Sequence, residues 1–451
     1  MDAQDGGVLE DWGQLISFRP DVLRPAGIDE LKDTLERVHR GELGNGAVRV
    51  PGSLHSCSKI VVSDTLLDTS GLPTAIEFDA GDGAVEASAN VTLHEFLAEL
   101  GRRGKSVTAT GGTDHQTLAG LISTGTAPAS SRHALYELLE WVELVTLDAA
   151  TGQAVERRIS RGDADFRAVV CSLGLLGVLT RVRFRTVDEL YFDVVQEIVD
   201  LDDVLADLDA TSGKYDFWRV NWAPKSERAL LWAATAVPRD QSKPDGDYPT
   251  DEPEQILQVV FRVLDKLAGT GPLLTGALEV VYDVMTLTYR TSRATGPLRN
   301  MLPVDRRAPL RVAMAEWSFR PQDVHTVLGE CRQYFDAQGW PNIPTEIELT
   351  RVDGSLMSAW NWDGLPYIVK FNFMYLTEVC TKPGEKEAIY AHLRGLWEHL
   401  ENAGVPFKAH WGKVNFIDPD FVRRNHGFDQ FRPLISPMFM NDYLTERIGS
   451  P

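Results

Sequence analysis

Two segments carry glycine and hydroxyl residues at a density that suits a bound phosphate. Residues 48–59 (VRVPGSLHSCSK) hold Pro51, Gly52, Ser53, Leu54, His55, Ser56 and Cys57. Residues 108–131 (TATGGTDHQTLAGLISTGTAPASS) hold Gly111, Gly112, Thr113, Thr117, Gly120, Leu121, Ile122, Ser123 and Gly125. Glycine lets the backbone approach a ligand closely, and consecutive N–H groups form an anion-binding concavity. Two such loops in one domain could grip a pyrophosphate from both sides, although the same composition also serves ordinary tight turns.

The better-known fingerprints fail. Gly104, Lys105 and Ser106 follow Glu99 where a nucleotide loop needs glycine, and Gly269 and Gly271 lack the third glycine of a dinucleotide loop. No GxSxG or HExxH motif occurs. Cys57, Cys171, Cys331 and Cys380 are scattered without CxxC spacing, which argues against a disulfide framework or a zinc site. Burial as small apolar residues in a reducing compartment is the expectation for them, and no metal site is expected.

The elements that must position the two loops are short. Residues 27–40 place Ile28, Leu31, Leu35 and Val38 at helical spacing, and 48–51 read as a short strand. Residues 74–80 and 84–91 read as strands around Gly81-Asp82-Gly83, and a helix follows from 92, capped by Gly101 or Gly104. Residues 143–158 read as a hairpin turning at 148–152, and 177–187 as a strand. This is an α+β mixture, without the regular βαβ alternation of a Rossmann fold. From 188 the texture changes. Residues 237–255 read as an exposed loop, 254–269 as a helix, and the apolar stretch up to about 310 as helical too. Residues 344–353 and 366–375 read as paired strands, and 385–404 as a long amphipathic helix ended by Gly404.

Composition bounds the function classes. The chain has 451 residues, 43% hydrophobic and 24% charged. It is therefore globular, long enough for two or three domains, and neither disordered, collagenous nor a coiled coil. Lys and Arg number 45 against 65 Asp and Glu, a net charge of −20 that would repel nucleic acid and anionic membranes. The acidic start has no apolar secretory core and no run reaches the length of a membrane span. A cytoplasmic protein is expected, with neither nucleic acid nor membrane as a partner.

Four ordered motifs resemble one family. They are Arg-Val-Pro-Gly-Ser-Leu-His-Ser (49–56), Ala-Gly-Leu-Ile-Ser-Thr-Gly-Thr (119–126), Ser-Leu-Gly-Leu-Leu-Gly-Val-Leu-Thr (172–180) and His410-Trp411-Gly412-Lys413. In order and spacing they are similar to the aldonolactone oxidase and alditol oxidase group of the vanillyl-alcohol-oxidase (PCMH-type) FAD flavoproteins. The resemblance runs from Trp12 to near the C-terminus and is weakest over 190–340. It implies a two-part PCMH-type FAD-binding domain over 1–187 and an α+β cap domain for substrate over 188–405. A C-terminal segment, 406–451, would then return to the flavin.

The same resemblance implies FAD held by Pro51 to Cys57, Gly111, Gly112, Thr113, Thr117, Gly120, Leu121, Ile122, Ser123, Gly125, Val178 and His410. It also implies a covalent bond from His55 to the flavin. Neutral imidazole is nucleophile enough to add there; the alternative is a turn histidine that makes only hydrogen bonds. One departure lies in the second loop. Relatives read Ser-Thr-Gly-Thr-His-Gly, whereas this chain has Ser-Thr-Gly-Thr-Ala-Pro over 123–128. Beyond Thr126 the loop must take another path, because proline fixes φ and removes a donor.

On the substrate side the resemblance implies a catalytic set of Glu346, the strand residue two positions on, and Lys413, with Asn372 as a polar substrate contact. The family's arginine at that second position is Glu348 here. Residues two apart share a strand face, so Glu346, Glu348 and Thr350 point together and Arg351 points away. Two carboxylates so placed repel, and one of raised pKa could accept a hydroxyl proton while hydride passes to the flavin. Lys413 could offset the charge or orient the oxygen. The alternative is that Glu348 pairs with a basic residue across the sheet, Lys370 being a candidate, and does no chemistry.

Gly112 stands where alditol oxidases carry a substrate-binding serine. Gly111 stands where a larger residue shields the flavin from oxygen in related dehydrogenases, which favours reoxidation by O2. The expected function is oxidation of a CH–OH group in a sugar-like or specialised-metabolite small molecule, with O2 or another electron acceptor. A tailoring dehydrogenase or oxidative cyclase acting on a larger or amine-bearing substrate is the rival. A flavin-binding relative that lost catalysis when arginine became glutamate is the non-enzymatic reading.

Overall fold

The computed structural model describes residues 7–79, 81–223, 225–248, 289–301, 311–378, 380 and 382–450. Three helices set up the first part. In α1 (Ile28–His39) Leu31, Leu35 and Val38 are buried, with Asp29 and Glu30 in the first turn and Arg37 and His39 in the last, signs that suit the helix dipole. A capping box between Thr92 and Glu95 starts α2 (Leu93–Arg102). In α3 (Leu118–Thr124) the Thr117 hydroxyl caps the first turn by accepting from the Gly120 N–H at 3.1 Å. Gly125 at φ 72° ends that helix in a left-handed conformation that glycine takes without strain.

A five-stranded antiparallel sheet is built from β1 (Ile76–Phe78), β2 (Ala84–Ser88), β3 (Leu139–Leu147), β4 (Ala154–Ser160) and β5 (Val178–Arg185). Its spatial order is β1-β2-β5-β3-β4. An eight-stranded sheet follows, from β6 (Tyr191–Asp200), β7 (Phe217–Trp222), β8 (Arg228–Val237), β9 (Ser292–Pro297), β10 (Val312–Phe319), β11 (Thr345–Arg351), β12 (Tyr367–Leu376) and β13 (Phe407–Ala409). Its order is β9-β6-β8-β7-β11-β12-β10-β13. The fold is α+β.

Strand alternation gives this larger sheet two unlike faces. Trp317, Phe319, Phe371 and Phe373 fill the face covered by α4 (Val324–Gln338) and α5 (Glu385–Asn402). Trp317 meets Trp397 edge-on at 5.4 Å, and Phe373 meets Phe335 at 6.1 Å. The intervening Glu316, Ser318, Glu346, Glu348, Thr350, Lys370 and Asn372 therefore share the opposite face.

Three readings of the chain need correction. Residues 48–51 form no strand beyond a single bridge from Arg49 to Leu66, since Pro51 has no N–H to continue the ladder. The strand begun at Ala84 stops at Ser88, and Asn90 turns its side chain to the Thr69 and Leu72 carbonyls, 3.0 Å each. The stretch read as helical up to 310 contains β9, which pairs with β6 from Tyr191 to Gln196. Its residues, SRATGP, carry no alternation that would have announced a strand. The helix expected at 254–269 and the end of the loop expected at 237–255 lie outside the described residues.

The chain beyond β13 packs on the first loop. The Cys57 N–H donates to the Gly412 carbonyl at 2.7 Å and the Ser58 hydroxyl to that of Trp411 at 2.8 Å. Val48 N–H reaches the Met438 carbonyl at 2.9 Å. Buried Arg49 donates to the carbonyls of Ile60 (2.9 Å), Leu173 (2.6 Å) and Phe439. Burial without a carboxylate lowers its pKa to about 10, leaving it charged at neutral pH.

Candidate active site

A cleft of about 800 Å³, its mouth included, opens among residues 49–56, 116–124 and 173–179. Both glycine-rich loops border it: Pro51, Gly52, Ser53, Leu54, His55 and Ser56 from the first, Thr117, Gly120 and Ser123 from the second. Leu173, Gly174 and Gly177 add a third wall. The two loops approach backbone to backbone: a Cβ on Gly52 would lie 3.0 Å from Thr117 Oγ1 and 3.5 Å from Gly120 Cα. Leu54 (φ 57°) and Leu173 (φ 58°) hold left-handed backbone on facing walls. Side chains larger than glycine rarely adopt it, and such strain gathers at ligand clamps.

Other expected cofactor residues take different places. Leu121, Ile122 and Val178 are buried in the apolar core, so what they offer a ligand is backbone. The Cys57 thiol faces the Val312 carbonyl at 3.5 Å, and burial raises its pKa. A Cβ on Gly111 would collide with Thr126 Cγ2, so packing requires this position to stay small. Gly112 is exposed. The Thr110 and Thr113 hydroxyls of the second loop are buried without a hydrogen-bond partner.

His55 closes one end of the cleft. Its ring lies 4.3 Å from that of Trp12 and stacks at 6.4 Å, interplanar angle 2°, on that of His115. The Ser53 hydroxyl donates to the His115 carbonyl at 2.6 Å and joins the two loops there. Burial, then the charges of Lys413, His115 and Arg311, lower the His55 pKa to about 3. The imidazole is neutral at physiological pH, with a nitrogen lone pair available.

The polar sheet face lies against the second loop. Thr350 Oγ1 donates to the Pro128 carbonyl at 2.8 Å, and Lys370 Nζ to that of Ala127 at 3.4 Å. The Ala-Pro departure thus lays its carbonyls along the sheet. Register puts Glu348 opposite Lys370 on one side and Arg219 on the other, and Glu346 opposite Asn372. Lys370 Nζ is 2.7 Å from Glu348 Oε1 and 3.1 Å from Glu316 Oε1. Cross-strand pairing, weighed from the sequence as the alternative for Glu348, is the arrangement present. Glu346 pairs with Arg219, and Asn372 Nδ2 donates to Glu346 Oε2 at 3.0 Å and to Glu348 Oε1 at 3.4 Å. Arg351 points away, to Glu137 at 2.6 Å.

Electrostatics separate these groups. Burial and the neighbouring Glu346 raise the Glu348 pKa against the pull of Lys370. For Glu316 the desolvation penalty is overcome by Lys370, His410 and Lys413, which bring it down to about 2. His410 is buried, and its Nδ1 accepts from the Gly412 N–H at 3.0 Å. Burial lowers its pKa to about 4. Lys413 is half-buried, and among the described residues its ammonium has no ion-pair partner.

Arg219 and Glu316 escape sequence reasoning. The one available signal is a charge inside an apolar strand, in FWRVNW and VAMAEWSF. Only the strand order shows that both charges border Glu346 and Lys370.

Comparisons with known proteins bear on the family and the fold. The D-arabinono-1,4-lactone oxidase family matches residues 182–447, and an FAD binding domain family matches 21–156. The chain is 28% identical over 230 residues to the D-arabinono-1,4-lactone oxidase of Yarrowia lipolytica, an alignment spanning 50% of this chain and 43% of that protein. It is 21% identical over 453 residues to the L-gulonolactone oxidase of Scyliorhinus torazame, spanning 97% of this chain and 98% of that protein. The chain thus aligns with under half the length of the fungal relative and nearly all of the fish one. Cholesterol oxidase from Brevibacterium sterolicum superposes with a TM-score of 0.74 at 14% identity, covering 98% of this chain and 96% of that chain. A solvent-stable cholesterol oxidase does so with 0.73 at 19% identity, covering 96% of each. At such identities the likeness speaks for the fold.

Proposed function

The chain belongs to the D-arabinono-1,4-lactone oxidase family, and from that premise we propose an FAD-dependent oxidoreductase that oxidises a CH–OH group of a sugar-like molecule and is reoxidised by O2. The observation that carries the reading is the 2.7 Å bond from Cys57 N–H to the Gly412 carbonyl. It joins the loop bearing His55 to the segment bearing Lys413, so a flavin in the cleft would meet the polar sheet face.

FAD fits the residues present. The cleft is walled by backbone-exposing glycines and strained leucines, and the Thr110 and Thr113 hydroxyls await partners. On this reading residues 1–187 hold the cofactor, 188–405 the substrate, and 406–451 close the site. When bound, FAD supplies the hydride acceptor. Glu346, gripped by Arg219 and Asn372, takes the hydroxyl proton. Lys413 donates to the substrate oxygen, and Asn372 Oδ1, buried and unpartnered, accepts from a second hydroxyl. Glu348 holds Lys370 and stays out of the chemistry. An amine-bearing substrate gains no support from Glu348, whose charge is met by Lys370 at 2.7 Å. The neutral ring of His55 supports covalent attachment of the flavin.

Oxygen uptake with D-arabinono-1,4-lactone, L-gulonolactone and simple alditols tests the activity. Consumption of O2 with matching hydrogen peroxide supports it; a flavin-loaded protein inert to the whole set removes the sugar-like substrate.

A further inference from the structure

We propose that Asn415 is the positioning residue for Lys413: its buried amide fixes the backbone from which Lys413 rises, and Tyr443 fixes the amide in turn; this rests on the reading that Lys413 meets the substrate oxygen. A lysine ammonium is a point charge on a flexible four-carbon stem, so its aim depends on how firmly its backbone is held. The charge of Lys413 is felt by His55 on the first loop and by Glu316 and His410 at the sheet. The ammonium is thus within electrostatic reach of both walls of the site.

Register between β13 and β10 ends at Ala409, so the turn that carries Lys413 has no ladder to hold it. The Lys413 N–H donates to the His410 carbonyl at 3.2 Å, and the Val414 N–H to that of Met314 at 2.8 Å. The carbonyls of the turn need other partners. Those of Trp411 and Gly412 go to Ser58 and Cys57 at the first loop. That of Lys413 accepts from Asn415 Nδ2 at 2.9 Å, and the same nitrogen lies 3.2 Å from the Trp411 carbonyl. Asn415 is 2% exposed. Its two amide hydrogens therefore span the turn from behind.

Asn415 is itself anchored. Tyr443 Oη lies 3.1 Å from its Nδ2 and 3.4 Å from its Oδ1. Tyr443 belongs to α6 (Asp442–Ile448), whose cap Asn441 donates to the Val62 carbonyl at 2.8 Å and the Lys59 carbonyl at 3.1 Å. One helix thus binds both the chain leaving the His55 loop and the amide behind Lys413. Precision matters there, because a reacting group about 1 Å out of place can lose 10²-fold in rate.

The test is a double-mutant cycle on the flavin-loaded protein, read by anaerobic flavin bleaching with D-arabinono-1,4-lactone or L-gulonolactone and by flavin content. Parent, Asn415→Leu, Lys413→Met and the double variant are compared. Leucine has the branching of asparagine without its donors. Tyr443→Phe is the milder probe, since it keeps the ring against Arg447 and loses only the hydroxyl. Asn415→Leu is expected to slow bleaching about 10²-fold and Tyr443→Phe by less, with flavin content unchanged in both. In the Lys413→Met background Asn415→Leu should slow it by less than about twofold, because the group it aims is gone. Equal slowing in the two backgrounds overturns the proposal. So does an unchanged rate in Asn415→Leu, or flavin loss that tracks the loss of rate. If Asn415→Leu fails to fold, Tyr443→Phe crossed with Lys413→Met decides by the same criterion. Bleaching of Lys413→Met at the parent rate overturns the proposal and leaves the oxidase reading standing. A parent that neither lactone bleaches brings down that reading and the proposal with it.

Discussion

Lys370 Nζ lies between Glu348 Oε1 (2.7 Å) and Glu316 Oε1 (3.1 Å), so one buried ammonium serves carboxylates on both neighbouring strands. The glutamate that stands where the family carries arginine is thus paired within the sheet. Breaking a buried ion pair by removing one partner strands the other in a low dielectric. Lys370→Met should therefore lose about 3–5 kcal/mol of stability, and Lys370→Met with Glu348→Gln should recover part of it. Urea unfolding measures both; an unchanged midpoint in the single variant would contradict the pairing.

His55 should carry the flavin. Acid precipitation of the yellow parent should leave colour in the pellet, and His55→Ala should send it to the supernatant while the protein still binds FAD. Colour in the parent's supernatant would restrict His55 to non-covalent contact.

Gly111 should tolerate no side chain while Thr126 is present. Gly111→Ala forces the new Cβ into Thr126 Cγ2, an overpacking that costs about 1–3 kcal/mol. Adding Thr126→Ser removes the methyl yet keeps the 3.1 Å bond from its hydroxyl to Gln116 Oε1. Thermal melts should show most of the loss restored in the double variant. A neutral single substitution would sink this account of the loop.

Stability should fall in two stages on acidification. Burial lowers His392 and His410 to about 4 from an ordinary 6.5. Between those values the unfolded chain binds the protons the folded chain refuses, so stability present above 6.5 is lost as pH falls toward 4. Glu316 is depressed from 4.5 to about 2, and its contribution is lost as pH falls through that lower range. Melting temperature should thus decline from neutral pH to 5; a flat profile there would contradict the buried neutral histidines.

What the chain discloses depends on where each requirement is written. The cofactor loops are legible because close backbone approach demands Gly, Ser and Thr in a row, as at Gly52 and Gly120. The strands bearing Glu346 and Asn372 are legible from alternation. Whether Glu348 faces substrate or Lys370 depends on register between strands, and Arg219 and Glu316 become relevant only through strand order. Neither leaves a local signal. The strand Ser292–Pro297 carries no local signal for a related reason: a strand at the edge of the described sheet needs backbone hydrogen bonds more than an apolar pattern.

The central claim is hydride transfer from a CH–OH group to a flavin held by these loops. Anaerobic mixing of the flavin-loaded protein with D-arabinono-1,4-lactone or L-gulonolactone tests it most directly. The account predicts bleaching of the flavin absorbance, its return when oxygen is admitted, and bleaching slowed by about 10²–10⁴-fold in Glu346→Gln, the range for loss of a positioned base. Flavin absorbance that neither sugar lactone disturbs, or bleaching as fast in Glu346→Gln as in the parent, would contradict it.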